Sequence, residues 1–205
     1  VNGDQFSQFD KRYQSAMNLS HLWVNRIGGL EVENTAGIQF QNDVIDNGLL
    51  STKQRQTLST TRKDHINQNS IGLYYQNSIQ WLEKFRSVAG VRSDYYWFDV
   101  SSHQAVNSGK RYDSITNPKI SLIFGPWAQT EFYFNYGGGF HSNDARGTTT
   151  TVDPKSGDPV NRVNPLVRST GYEVGVRTAI VPGLQASFAA FRLDMDSELL
   201  FVGDA

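Results

Sequence analysis

Residues 130–137, Thr-Glu-Phe-Tyr-Phe-Asn-Tyr-Gly, alternate without a break. Thr130, Phe132, Phe134 and Tyr136 fall on one face of an extended chain and Glu131, Tyr133, Asn135 and Gly137 on the other, the period of two that defines a strand. The first face is apolar and aromatic. The second carries a charge, a phenol, an amide and a bare backbone, so it suits water or a hydrated interior rather than a dry core. Three glycines then lead into the polar run Phe140-His141-Ser142-Asn143-Asp144-Ala145-Arg146-Gly147.

The same two-faced pattern recurs along the chain. A first strand is predicted over about Arg12 to Ile27. Gly28-Gly29 turns it into a second, where Leu30, Val32, Ala36, Ile38 and Phe40 alternate with Glu31, Glu33, Thr35, Gly37, Gln39 and Gln41. Ile71, Leu73, Tyr75, Ile79 and Trp81 mark a third. Beyond a short link at Glu83-Lys84, Ala89, Val91, Tyr95 and Trp97 oppose Gly90, Arg92 and Asp94. Ile120, Leu122 and Phe124 oppose Lys119 and Ser121, Gly125-Pro126-Trp127-Ala128 turns into the 130–137 strand, and Tyr172, Val174 and Val176 oppose Glu173, Gly175 and Arg177. After a turn at Val181-Pro182-Gly183, Leu184, Ala186 and Phe188 share a face while Phe191, Leu193 and Met195 take the opposite phase. A bulge near Ala189-Ala190 is expected to reconcile them.

The polar stretches Asp43 to Lys63, Ser101 to Ser114 and Ser142 to Pro165 are expected to be long loops, so that connections alternate between short and long. Compact soluble domains rarely carry such loops, whereas outer-membrane barrels have short turns at one rim and longer loops at the other. About ten residues at roughly 3.3 Å each, tilted near 45°, rise about 23 Å, close to the apolar band of roughly 25 Å that these barrels present to lipid. Trp81, Tyr95, Trp97 and Trp127 lie near predicted strand ends, where indole and phenol rings suit the headgroup boundary, although aromatic content alone suits any β protein. The fold class expected is all-β, an antiparallel transmembrane β-barrel segment of about eight meandering strands.

Composition removes other classes. Nineteen basic residues against twenty acidic, without a basic cluster, leave no nucleic-acid footprint. Mean hydropathy is −0.47 and no run approaches the roughly 18 apolar residues of a membrane helix; a barrel, which needs only every second residue apolar, remains. There is no cysteine, hence no disulfide or thiolate metal site. Val1-Asn2-Gly3-Asp4 has neither the charge nor the apolar run of a signal peptide, so either a signal was removed or the chain starts within a protein.

The aromatic strand with its GFHSNDARG continuation, Asn117-Pro118-Lys119-Ile120-Ser121-Leu122 before it, Tyr172 to Arg177 after it and the tail Phe191 to Leu199 together resemble the barrel of TonB-dependent outer-membrane receptors. The resemblance implies that residues 1–205 are a partial barrel, without plug domain or C-terminal strands, from the middle of a wall of about 22 strands. It implies energised uptake of a scarce substrate, such as a siderophore or other metal chelate, at the outer membrane of a Gram-negative bacterium. The partners it implies are outer-membrane lipid, a plug domain of the same polypeptide, TonB acting through a TonB box on that plug, and a small-molecule ligand. A complete small outer-membrane barrel with a structural or adhesive role is the alternative. An enzyme on a β-barrel is a third reading, which Asp194 and Asp196 would have to support.

No catalytic residue, metal site or cofactor is expected. Gly137 to Gly139 are followed by no Lys-Ser/Thr, and Ser142 stands where a dinucleotide loop needs glycine. His21, His65, His103 and His141 lack metal-ligand spacing, and the turn residues Asp153 to Asp158 lack most positions of a calcium loop. Arg192, Asp194, Asp196 and Glu198, on one face, are expected to form an interior ion-pair network. Candidates to face a lumen or ligand are Arg92, Asp94, Lys119, Glu131, Tyr133, Asn135, Glu173 and Arg177 by their phase, and His141, Asn143, Asp144 and Arg146 by their place in the family-like motif, although for His141 a hydrogen-bonding role that orders its loop is favoured over ligand contact. By the same phase Gly175→Ser is expected to be tolerated.

Overall fold

The computed structural model describes residues 5–197. Val1 to Asp4, Glu198 of the expected ion-pair network and the end of the family-like tail lie outside the described residues. The chain forms one eight-stranded antiparallel sheet in which every strand pairs with its sequence neighbour. The strands are β1 (Gln5–Ile27), β2 (Leu30–Lys53), β3 (Gln56–Leu82), β4 (Phe85–Ser102), β5 (Gly109–Trp127), β6 (Thr130–Ser142), β7 (Leu166–Thr178) and β8 (Ala186–Met195), with a 3-10 turn at Ala105–Asn107 and a short α-helix, α1 (Ala145–Thr149). No helix among the described residues is long and apolar enough to cross a membrane.

Residues opposite one another in a ladder share a face, so the register carries the alternation of one strand across the sheet. Phe124 faces Phe132, which faces Val176, which faces Phe188; Leu122, Phe134 and Val174 form the next rung. Phe40, Ile71 and Tyr95 line up likewise on the left of the sheet. These apolar side chains are open to the surroundings, Phe132 at 50% and Val174 at 57%. A large oily face without a covering layer is what a strand exposed to hydrocarbon requires.

On β2 and β3 this face has sharp limits. Asn34 accepts hydrogen bonds from Tyr75 (2.5 Å) and Asn77 (2.8 Å), and Asn42 donates to Asn67 (2.8 Å) and Asn69 (2.9 Å). Ala36, Ile38 and Phe40 lie between the two amide clusters. Eight residues of strand tilted near 45° give roughly 19 Å of depth between them, within the apolar band of a membrane barrel.

Several expected boundaries move. β1 begins at Gln5 rather than near Arg12, and the predicted loops over 43–63 and 101–114 are mostly strand. Asp43 to Lys53 pair with Gln56 to Gln68 and close in the two-residue turn Gln54-Arg55, both at positive φ (53° and 66°). Polar residues on both faces erase the hydropathy signal there, yet the backbone ladder runs on because its groups still need partners. The turn also lacks the Asn-Gly wording that usually announces it. Only the 143–165 connection remains long.

The bulge at Ala189-Ala190 is absent. β7 and β8 stay in register from Thr178–Ala186 to Ser169–Met195. Phe191, Leu193 and Met195 therefore share a face with Glu173, and Arg192 and Asp194 share one with Tyr172 and Val174, which overturns their expected interior placement. Their ion pair exists (3.0 Å), exposed on a strand with one neighbour. No inserted residue accompanies the change of phase, so the ladder overrides it.

An arginine at Val174 on the apolar face should reduce heat-modifiable barrel in the outer membrane, since Arg near the midplane costs roughly 2 to 4 kcal/mol. Gln76→Arg on the opposite face should assemble normally. A seminative gel reads both, and equal yields would contradict the assignment of faces.

Candidate functional site: the polar inner wall

The second face carries nearly every polar side chain singled out by phase. Arg92 lies on β4 beside Asp94, Lys119 on β5 opposite Gly90, Glu131 on β6 opposite Arg177, and Asn135 opposite Glu173. Arg92 Nε donates to both Asp94 oxygens (2.9 and 2.8 Å) and its Nη1 to Gln39 Oε1 (2.6 Å), with Asp94 only 2% exposed. Arg177 Nε donates to Glu131 at 2.5 Å, and Asn135 to Glu173 at 3.3 Å. Pairing of this kind neutralises charge that the wall would otherwise bury alone.

Glycines shape this wall. Side chains from neighbouring strands fill the space that a β-carbon would take: the Tyr74 ring lies over Gly37, the Arg92 guanidinium over Gly72, the Lys119 stem over Gly90 and the Tyr133 ring over Gly175. A β-carbon on Gly72 would also meet Asp94 Oδ1 at 2.6 Å. Gly175→Ser is therefore not tolerated as phase alone suggests, because Tyr133 and the Phe188 carbonyl occupy the site. Below Phe140 these side chains leave a recess of about 440 Å³, which Gln39, Arg92, Asn117 and Lys119 help to line.

The motif-derived candidates gather above that recess. Asp144 caps α1 by accepting from the Arg146 backbone N–H (2.9 Å), and its carboxylate also takes Arg146 Nε and Nη2. Burial alone would raise the Asp144 carboxyl; hydrogen bonds from the Arg146 side chain, its charge and backbone N–H, and the charge of Arg62 outweigh that and hold the carboxyl below its ordinary range. Asn143 donates to the Asn164 carbonyl (2.8 Å), closing the neck of the loop. His141 sits opposite Val167, half-buried.

The other histidines are dispersed. His21 stacks on Trp23 on the apolar face and His65 bonds Asp46 at 2.7 Å. Among the described residues no three His, Asp or Glu side chains converge on a point where an ion could bind. Sequence reasoning missed Gln39, Tyr74 and Asn107. The signal for Tyr74 was the fall of Gly37, Gly72 and Gly90 on the polar phase of their strands, but which side chain fills each depends on register.

A sheet that is apolar outside, ion-paired inside and mortised through glycines is the wall of a membrane β-barrel. The chain matches, over residues 1–205, the family described as TonB dependent receptor-like, beta-barrel, and it belongs to that family. Barrels of this family lie in the Gram-negative outer membrane and serve transport receptors. Among curated proteins it is similar to the metal-pseudopaline receptor CntO of Pseudomonas aeruginosa, 25% identical over 138 residues, which is 64% of this chain and 18% of that protein. Its fold is similar to that of the ferric citrate transporter FecA in the unliganded form (TM-score 0.73, 13% identity, 93% of this chain and 28% of that one). It is also similar to the copper transporter OprC (TM-score 0.65, 13% identity, 91% and 30%). The chain thus spans less than a third of these relatives.

Gly72→Ala should force Arg92 and Asp94 apart and lower stability by about 1 to 3 kcal/mol, read as the urea midpoint of the refolded barrel. Asp144 supplies a pH test. Its depressed carboxyl stabilises the loop fully above the ordinary carboxylate range and loses that contribution as pH falls through its folded value. Amide exchange in 143–150 should accelerate as acid passes that point, and Asp144→Asn should flatten the dependence.

Proposed function

We propose that this chain is part of the barrel of a longer TonB-dependent receptor that imports a scarce substrate, a metal chelate by class, across the outer membrane. In this reading the paired polar face encloses a hydrated lumen holding a plug domain of the same polypeptide, the apolar face meets lipid, and TonB acts on the plug to release the ligand. The recess beside Arg92 and Lys119 offers a cation, amides and bare backbone to a polar solute.

One observation carries the reading: the polar phase of eight consecutive ladder-paired strands stays on one face, while the family match runs the length of the chain. Departures are local: the upper part of β8, the apolar rung Ile45, Ile66 and Val100 on the polar face, and the amide clusters at the limits of the apolar one. The relatives are named for a metal-pseudopaline complex, ferric citrate and copper, cargoes that differ, so the chelate is proposed by class only. The charged groups of the wall are paired or dispersed, which supports binding and passage over catalysis.

The receptor carrying this chain, expressed in cells stripped of their own uptake receptors, should accumulate at least one radiolabelled ferric, cupric or nickel chelate from a panel, and deletion of TonB should abolish the accumulation. Uptake that persists without TonB would make the protein a passive pore. Adhesion without uptake would favour the small structural barrel.

A further inference from the structure

The long connection between β6 and β7 is packed onto the polar face of the sheet. Ile45, Ile66 and Val100 form one rung of β2, β3 and β4, on the face that carries Arg92 and Asp94, and Phe98 lies beside them. Ala145 of α1 seals this patch, and the five residues form a buried apolar cluster on the face that carries the ion pairs. Phe140 meets the Tyr96 ring edge-on, with centroids 5.8 Å apart. Thr148 is fully buried and Thr149 is 2% exposed.

The far end of the connection is tied down as well. Asn107, 3% exposed in the β4–β5 link, donates to the Val152 carbonyl (2.8 Å) and accepts from the Thr151 and Val152 N–H groups (2.9 and 3.1 Å). Leu166 N–H bonds Asp113 Oδ2 at 3.2 Å. The exposed part runs from Lys155 to Arg162, and the turn at its start is closed by bonds from Lys155 and Ser156 N–H to the Asp153 carboxylate.

A segment with its own apolar core, anchored at neck, middle and end, is not a flexible capture arm. We propose that residues 143–165 form a fixed ledge inside the mouth, and that this ledge sets the largest molecule able to reach the wall below it. It is a specificity element that acts by steric exclusion rather than by contact with the ligand. The cluster explains why Ile45, Ile66, Phe98 and Val100 are apolar on a wet face: they are the footing of the ledge. The inference rests on the polar face being the inside of an outer-membrane barrel.

These 205 residues contain no cysteine, so once any cysteine elsewhere in the receptor is replaced by serine each reporter is the sole thiol. In the full-length receptor on intact cells, Ser156→Cys reports the outer turn and Ser70→Cys the wall beneath the ledge. Each is treated with a small fluorescent maleimide or with one bearing a long polyethylene glycol chain. Both sites should take the small reagent, and only Ser156→Cys the polymer. Adding Asn107→Ala, which strands the Thr151, Val152 and carbonyl partners, should raise polymer labelling of Ser70→Cys about tenfold; Ile66→Ala, which thins the footing, serves if that variant fails to assemble. Polymer that reaches Ser70→Cys beneath the native ledge overturns the ledge alone. So does a Ser70→Cys that stays closed to both reagents when the ledge is loosened. A Ser156→Cys that is silent on intact cells overturns the orientation, and the ledge with it.

Discussion

Backbone amides and carbonyls in hydrocarbon have no solvent to turn to, so each must find its partner in the protein. That requirement governs this chain more strongly than hydropathy does. It keeps the β2–β3 ladder unbroken across the apolar band, beyond which the same ladder runs on, and it holds β8 in register with β7 through a reversal of phase. The apolar face follows as a consequence: once the ladder is continuous, every second side chain must satisfy the lipid.

The inner face answers to a different condition. Arg92 is neutralised there by Asp94 and Arg177 by Glu131, and amides, phenols and Lys119 are among the groups offered to a solute. Higher up, the wall changes character. The rung of Ile45, Ile66 and Val100 needs cover, and the β6–β7 connection supplies it. A barrel that carries a small folded core inside its mouth combines two kinds of stability, one from the ladder and one from burial.

The face assignment was legible because it depends on a period of two that each strand states alone: the side chains Phe132, Phe134 and Tyr136 needed no partner to declare themselves. The motif around His141 and Asp144 runs into the segment whose Ala145 packs against the sheet. What remained hidden depends on register. Whether Asp43 to Lys63 is a loop or a ribbon turns on pairing with distant residues, and Gln54-Arg55 lacks the usual turn chemistry. Asn107 looks like any loop amide until the chain folds and places Val152 against it. The expected bulge in β8 failed for the same reason, since phase is a local property and register a shared one.

Four long side chains lie in hollows left by glycines instead of standing up from the wall, three of them, Tyr74, Arg92 and Lys119, on successive strands. The diameter left free inside a closed barrel is set by strand number and by how far its lining projects. A lining folded into its own neighbours widens the bore without adding a strand, and gives any body held within a smooth surface along which to shift.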